Sequence, residues 1–268
     1  MALLEVQEIR RSFGGLVAVN RVSFAVQPGQ IKAIIGPNGA GKTTLFNIIS
    51  GLLKADSGQI RLRDRAISGF KPHQIVAAGI ARTFQNPSLF YRMSVLENVM
   101  VGRHSRTRWE FAGCCLRLPG QPTEERFIRE TARSQLDFLG LASLAAAPAG
   151  ALSFGQRRMV ELARALATEP ELLLLDEPAS GLNPKEKEQL GEQIRRIRER
   201  GVTVLLVEHD MTMVMDLSDD ILVLHNGEVI AEGPPATIQS NPEVVTVYLG
   251  GEFRPAEEVE LARLTSRL

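Results

Sequence analysis

Short apolar runs alternate with helical stripes along most of this chain. Ile31 to Ile35 is a largely apolar run, Leu172 to Leu175 is wholly apolar, and Val202 to Val207 is nearly so. Runs of this length predict strands buried on both faces, since a strand with one wet face would alternate. Leu3 to Ile9 and Val22 to Val26 are strand-like on either side of Gly14-Gly15, and Pro28-Gly29 turns the chain into the Ile31 run. After Gly51 and Ser57-Gly58, Gln59 to Leu62 predicts another short strand. Ile221 to Leu224 and Glu228 to Ala231 flank Asn226-Gly227, a two-residue hairpin signal.

Helical spacing fills the intervals. Leu45 to Ile49 follows a glycine-rich loop, and from about Asn86 to Leu166 the pattern is helical. Within it, Thr123 predicts an N-cap, Glu124-Glu125 suit a first turn, and Ile128, Ala132, Leu136 and Leu139 recur on one side. Arg157 to Leu166 carries Met159, Leu162, Ala163 and Leu166 on one face. Leu190, Ile194 and Ile197 form a stripe that Gly201 stops. Buried strands alternating with helices predict an α/β core, and the helical stretch set into its middle predicts a second subdomain.

Composition narrows the function. The chain has 268 residues, with Lys+Arg 31 against Asp+Glu 31 and a formal net charge of +0. It can bury a large core, and it lacks the basic excess that nucleic acid as a main ligand requires. No apolar run approaches the length of a membrane span, and Met1 to Glu5 shows neither a charged region nor a long apolar one, so no signal peptide is expected. Cys114 and Cys115 are adjacent, which fits neither a disulfide framework nor a zinc spacing, and a reducing cytoplasm is the expected compartment. The histidines at 73, 104, 209 and 225 are scattered.

The chemistry is concentrated in three places. Gly36-Pro37-Asn38-Gly39-Ala40-Gly41-Lys42-Thr43, followed by Thr44, sits between a predicted strand and a predicted helix. This is the context of a phosphate-binding loop. Glycines let backbone N–H groups approach dense negative charge, Lys42 supplies a cation for the β- and γ-phosphates, and the Thr43 hydroxyl can ligand Mg²⁺. The strand Leu172 to Leu175 ends in Asp176-Glu177. In a parallel sheet both sites lie at the carboxyl edge, where Asp176 can hold Mg²⁺ and Glu177 can deprotonate a water. A solvated acidic turn is the other reading of that pair. Leu152-Ser153-Phe154-Gly155-Gln156 opens an amphipathic helix, as a second anion site or as ordinary capping by Ser153.

Taken in order, Phe13, the Gly36–Thr43 loop, Gln85 in Thr83-Phe84-Gln85, Leu152 to Gln156, Asp176-Glu177, Ser180-Gly181-Leu182-Asn183 and His209 in Glu208-His209-Asp210 resemble an ABC-type ATPase subunit over most of the chain. The resemblance implies a P-loop NTPase core with an antiparallel β-subdomain and an inserted α-helical subdomain. Residues 1–268 would form a single such domain. Residues 1–85 and 167–250 would make the RecA-like core with its β-subdomain, 86–166 the helical subdomain with the signature motif, and 251–268 a C-terminal tail, whose charged stretch Pro255 to Leu268 reads by itself as a short peripheral helix. It implies ATP and Mg²⁺ as ligands. Phe13 would stack on adenine, although on its own it reads more readily as a core aromatic. Gln85 would meet Mg²⁺ or the attacking water, and Glu177 and His209 would serve catalysis. Ser153, Phe154, Gly155 and Gln156 would reach the γ-phosphate of a dimer partner. Phe154 stands where many members have glycine and Asn183 where many have aspartate, so bulk is added beside the anion site and a charge is lost from a loop expected to cross the dimer.

Phe13-Gly14-Gly15, Arg82 to Gln85, Gly181 to Pro184, Glu208 to Met211, Tyr248-Leu249-Gly250 and the long segment between Gly102 and Pro122 are similar to the larger ATP-binding subunit of branched-chain amino-acid importers. This implies integral-membrane permease subunits, a second ATPase subunit and a periplasmic binding protein as partners, no nucleic acid, and a peripheral place on the cytoplasmic face of the bacterial inner membrane. The Tyr248 ending is also similar to lipopolysaccharide-export ATPases, so a lipid exporter, or a soluble ABC ATPase outside transport, remains open. Arg103 to Leu118 mixes Arg103, Arg106 and Arg108 with Trp109 and Phe111, as a surface meeting membrane partners or as a solvated loop.

Overall fold

The computed structural model describes residues 1–85, 88–103 and 121–249. Both cysteines, the tail from 250 onward and all of the Arg103–Leu118 segment except Arg103 lie outside the described residues.

Two sheets hold one helix between them. β1 (Leu4–Phe13) pairs antiparallel with β2 (Leu16–Val26) across Gly14-Gly15. Counting β3 (Ile31–Ile35) as the next strand, β4 (Ser57–Leu62) lies on the other edge of β1 and β5 (Arg65–Ala66) beyond it, in the order β2-β1-β4-β5. The second sheet adds β6 (Ile80–Arg82), β7 (Leu172–Asp176), β8 (Thr203–Val207), β9 (Asp220–His225) and β10 (Glu228–Gly233) to β3. Its order is β10-β9-β3-β8-β7-β6, parallel except for the antiparallel edge strand β10.

The continuous apolar runs are explained by what covers them. Leu172 and Leu174 of β7 and Leu205 and Val207 of β8 face a core shared with the first sheet and with Leu45, Phe46, Ile48 and Ile49 of α1 (Lys42–Ile49). Leu173, Leu175, Val204 and Leu206 face the opposite core. Both faces are dry, so alternation has nothing to record. Each such side chain stabilises the fold by about 1.5–3 kcal/mol. α2 (Pro72–Ala78), with Pro72 at its start and Gly79 at its end, follows the first sheet.

The opposite core also takes in α3 (Val95–Arg103), α4 (Gln121–Phe138), α5 (Phe154–Leu166) and, from the other end of the sheet, α6 (Pro184–Glu199), α7 (Met211–Leu217), α8 (Pro235–Gln239) and the start of α9 (Pro242–Leu249). Ile128, Ala132, Leu136 and Leu139 are all buried there, as their spacing predicts. Among the described residues no helix is long and apolar enough to cross a membrane.

Three local expectations are corrected. α4 begins at Gln121, so Thr123 lies within its first turn rather than at its N-cap. Pro122 is tolerated so early because first-turn N–H groups need no intrahelical partner. The first helix after Asn86 starts only at Val95, where Ser94 and Glu97 exchange hydrogen bonds, Glu97 N–H to Ser94 Oγ at 3.2 Å and Ser94 N–H to Glu97 Oε2 at 2.7 Å. β1 runs beyond Ile9 to Phe13 through a polar stretch, because Asp56 accepts from Arg11 Nη1 (2.7 Å) and from the N–H (2.7 Å) and hydroxyl (2.6 Å) of Ser12.

Candidate active site

β3 lies between β8 and β9 and delivers the loop 36–41 to the carboxyl edge of the sheet. Two of its glycines are dictated by close approach. A Cβ on Gly36 (φ +154°) would sit 2.2 Å from the Leu224 carbonyl oxygen, and one on Gly41 (φ +101°) 2.4 Å from that of Ala18. Neither backbone can retreat without opening a strand, so a larger residue has no room at either position. No side chain caps the first turn of α1, which leaves its N–H groups facing the loop. Buried Lys42 donates from Nζ to the carbonyls of Gly36 (2.6 Å) and Pro37 (2.9 Å). Burial lowers its pKa, while the carboxylates of Glu177 and Asp176 pull it back up. Ala40 is buried, Pro37 and Thr44 are half-buried, and Asn38, Gly39 and Thr43 are exposed.

The acidic pair divides its work. Glu177 has a left-handed backbone (φ 47°) and donates its N–H to Val207 O at 2.9 Å, which swings its side chain out of the strand register. Its carboxylate is gripped from two sides: Gln85 Nε2 donates to Oε2 at 2.7 Å, and His209 Nε2 lies 2.7 Å from Oε1. Residues from β6, β7 and β8 ends thus meet on one carboxylate. Asp176 points elsewhere. Its Oδ2 accepts from Arg82 Nη2 at 2.7 Å, and Arg82 Nη1 donates to Asn47 Oδ1 (2.8 Å) and Ser50 Oγ (2.7 Å) of the α1 end. The Arg82 guanidinium lies over the rings of Phe46 (5.7 Å) and Phe84 (5.3 Å). Buried Glu208 accepts the N–H groups of Ala179 (2.6 Å) and His209 (3.1 Å), tying the loop after Glu177 to the loop carrying His209. Burial pushes its carboxyl pKa up, against those hydrogen bonds.

The oxygen donors expected for Mg²⁺ fit that ion. Among the described residues no group of three or more His, Cys, Asp or Glu is arranged to hold a metal, and Mg²⁺ beside phosphates takes only one or two carboxylates with hydroxyl or amide oxygens. Asp176, the exposed Thr43 hydroxyl and Gln85 are of that kind, and Gln85 spends its amide nitrogen on Glu177, which leaves its oxygen.

Phe13 is not a core aromatic. It is 46% exposed at the β1 hairpin end, with the Arg11 guanidinium 4.8 Å from its ring centroid. On the expectation that Phe13 stacks on the base, Phe13→Ala should weaken ATP and GTP alike by about 1–3 kcal/mol, because every base offers a π-face. Titration with fluorescent analogues of both nucleotides checks this, and unchanged affinity for both removes Phe13 from the site.

At the other helix start, capping is realised. Ser153 Oγ accepts from Gln156 N–H (3.2 Å) and Gln156 Oε1 accepts from Ser153 N–H (2.9 Å). Gly155 lies against α6, where a Cβ would come 2.4 Å from Glu186 Oε1. Phe154 fills the space over Gly181, where a Cβ would be 3.0 Å from its Cε1. Asn183 caps α6 with Oδ1 accepting from Glu186 N–H at 3.0 Å, a task an aspartate would do equally. The structure thus gathers Lys42, Asp176, Glu177, Gln85 and His209 at one sheet edge and sets Ser153 to Gln156 against α6.

A family model described as ABC transporter matches residues 19–180. It spans the 36–44 loop, Gln85, Ser153 to Gln156, Asp176 and Glu177, while Phe13 and His209 fall outside it. A second, described as branched-chain amino acid ATP-binding cassette transporter, matches residues 228–254. The chain is 44% identical over 249 residues to the high-affinity branched-chain amino acid transport ATP-binding protein BraF of Pseudomonas aeruginosa, covering 92% of this chain and 98% of that one. It is 42% identical to the corresponding protein LivG of Escherichia coli with the same coverage. Among solved structures, the ADP conformation of an ATP-binding cassette of an ABC transporter superposes with a TM-score of 0.82 at 36% identity, over 93% of this chain and 99% of that one. A nucleotide-free cassette gives 0.81 at 35% identity, over 92% and 99%.

Proposed function

Because the chain belongs to the ABC transporter family, we propose that it is the ATP-hydrolysing subunit of an importer for branched-chain or other hydrophobic amino acids. The observation that carries the reading is the double grip on Glu177. A carboxylate held by Gln85 and His209 beside the phosphate loop is pre-aimed, and orientation is a large part of what a general base contributes.

In this mechanism the α1 N-terminus and Lys42 hold the β- and γ-phosphates. Thr43, Asp176 and Gln85 would hold Mg²⁺, whose charge when bound offsets that of the phosphates. Glu177 orients a water and takes its proton as the water attacks the γ-phosphorus and the bond from that phosphorus to the β,γ-bridging oxygen breaks, releasing ADP and phosphate; His209 steadies the opposite carboxylate oxygen, and Phe13 stacks on the base. Ser153, Phe154, Gly155 and Gln156 serve the nucleotide of a second ATPase subunit, so that two ATP molecules sit in a head-to-tail dimer. The helices α3, α4 and α5 act as a helical subdomain that turns with nucleotide state and moves permease subunits, with a periplasmic binding protein delivering substrate. The chain then works at the cytoplasmic face of the inner membrane. A ligand drives such a cycle only through different affinity for the open and closed states.

The test is transport. The chain is reconstituted with its membrane subunits in vesicles and given substrate-loaded binding protein and ATP. ATP-dependent uptake of leucine, isoleucine or valine is expected, and it disappears with Glu177→Gln. Lipid movement without amino-acid uptake would overturn the import assignment.

A further inference from the structure

We infer that Arg158 and Glu161, a buried ion pair on α5, are positioning residues that hold Gln85 against Glu177. The inference rests on the reading of Gln85 and Glu177 given above. Both side chains are 2% exposed, with Arg158 Nη1 3.3 Å from Glu161 Oε2. Their other hydrogen bonds all go to one short piece of backbone, and the Arg158 guanidinium also lies 5.7 Å from the centroid of the Phe154 ring. Arg158 Nη1 donates to Phe84 O at 2.6 Å and Nη2 to Gln85 O at 2.7 Å. Glu161 Oε1 accepts the Phe84 N–H at 3.0 Å. One turn of α5 therefore clamps residues 84 and 85 at three points.

That clamp replaces support the sheet does not give. β6 ends at Arg82, and Thr83 N–H to Leu174 O at 3.0 Å continues the ladder by one bond. Phe84 and Gln85 are exposed beyond the strand, and the Gln85 side chain reaches to Glu177. The guanidinium fork meets the two successive carbonyls with two different nitrogens held at a fixed spacing, whereas a lysine offers a single nitrogen and sets no such spacing. Stability alone does not account for the pair, since a well-packed apolar pair is often as stable as a buried ionic one. The consequence is geometric. α5 is capped by Ser153, so displacement of the helix together with its Ser153–Gln156 start moves Gln85, and with it one of the two grips on Glu177.

The full-length chain is tested with two variants, Arg158→Lys and the apolar pair Arg158→Met with Glu161→Leu, alongside Gln85→Ala. Melting and circular dichroism confirm the fold, ATP affinity is titrated with a fluorescent ATP analogue, and kcat is taken per nucleotide-binding chain. Both clamp variants should lose kcat by on the order of 10–100-fold, the scale of a misplaced reacting group, with ATP affinity unchanged. Adding Arg158→Lys to Gln85→Ala should cost nothing further, because both act through the same side chain. Wild-type kcat in a folded clamp variant, or a full additional loss on top of Gln85→Ala, overturns the inference. Wild-type kcat in Gln85→Ala overturns the reading of the site and the inference with it. Loss there beside wild-type kcat in Arg158→Lys overturns the clamp alone.

Discussion

Glu177→Gln should slow ATP hydrolysis by about 10²–10⁴, the usual worth of a general base, and leave ATP affinity at its wild-type level. The glutamine side chain keeps the shape of the glutamate. Its amide oxygen can still accept from Gln85 Nε2, and its amide N–H can face an unprotonated His209 Nε2, so both 2.7 Å contacts have partners. What disappears is the capacity to take a proton. Single-turnover hydrolysis on protein free of contaminating ATPase measures the loss, and size-exclusion chromatography in ATP should show a dimer that accumulates because closure no longer ends in turnover. Near wild-type turnover in this variant removes Glu177 as the base.

Arg82→Ala should destabilise the fold by about 3–5 kcal/mol, because it strands a buried carboxylate. The Arg82 and Asp176 side chains are only 7% and 8% exposed, and their contact is 2.7 Å. Pairing the substitution with Asp176→Asn should restore most of that loss, since no uncompensated charge then remains. Urea unfolding without nucleotide or metal measures both variants in the same state. A double variant no more stable than Arg82→Ala would assign the cost to lost packing between Phe46 and Phe84 instead of to charge.

The phosphate loop, the buried strands and the Asn226-Gly227 hairpin were legible because each is set by local chemistry: glycine backbone freedom, apolar runs, a two-residue turn. Fold class and the resemblance to ABC ATPases follow from those pieces in order, and the matching family and structures bear both out. The polar framework was not legible as function. Arg82 follows two apolar residues and reads as the polar end of a strand, yet its partners Asn47, Ser50 and Asp176 come from two other elements. Arg158 and Glu161 are three residues apart on a helix, the spacing of an ordinary surface ion pair, and only burial reveals them as a clamp. Glu208 was visible as a motif neighbour of His209, but its role as acceptor for Ala179 N–H depends on a loop 29 positions away. Phe13 could be placed on the surface only once β1 was seen to continue through Arg10, Arg11 and Ser12.

The central place of β3 sets a timetable for the newborn chain. Its hydrogen-bonded neighbours are β8 and β9, both from the last third of the sequence, and the tip of the final hairpin closes on the loop itself through Gly227 N–H to Ala40 O at 3.1 Å. A ribosome that has finished the phosphate loop has therefore made a strand with no sheet to join. At ~5–20 residues per second the stretch from Ile35 to His225 takes roughly 10–40 s to synthesise. Throughout that interval ATP has no formed cradle to stabilise, and the apolar β3, joined late in the interval by β7, lacks its sheet partners. A chain truncated before β9 lacks one of the two neighbours of β3 and the Gly227 contact to the phosphate loop, so ATP should not raise its melting temperature as it does that of the full chain.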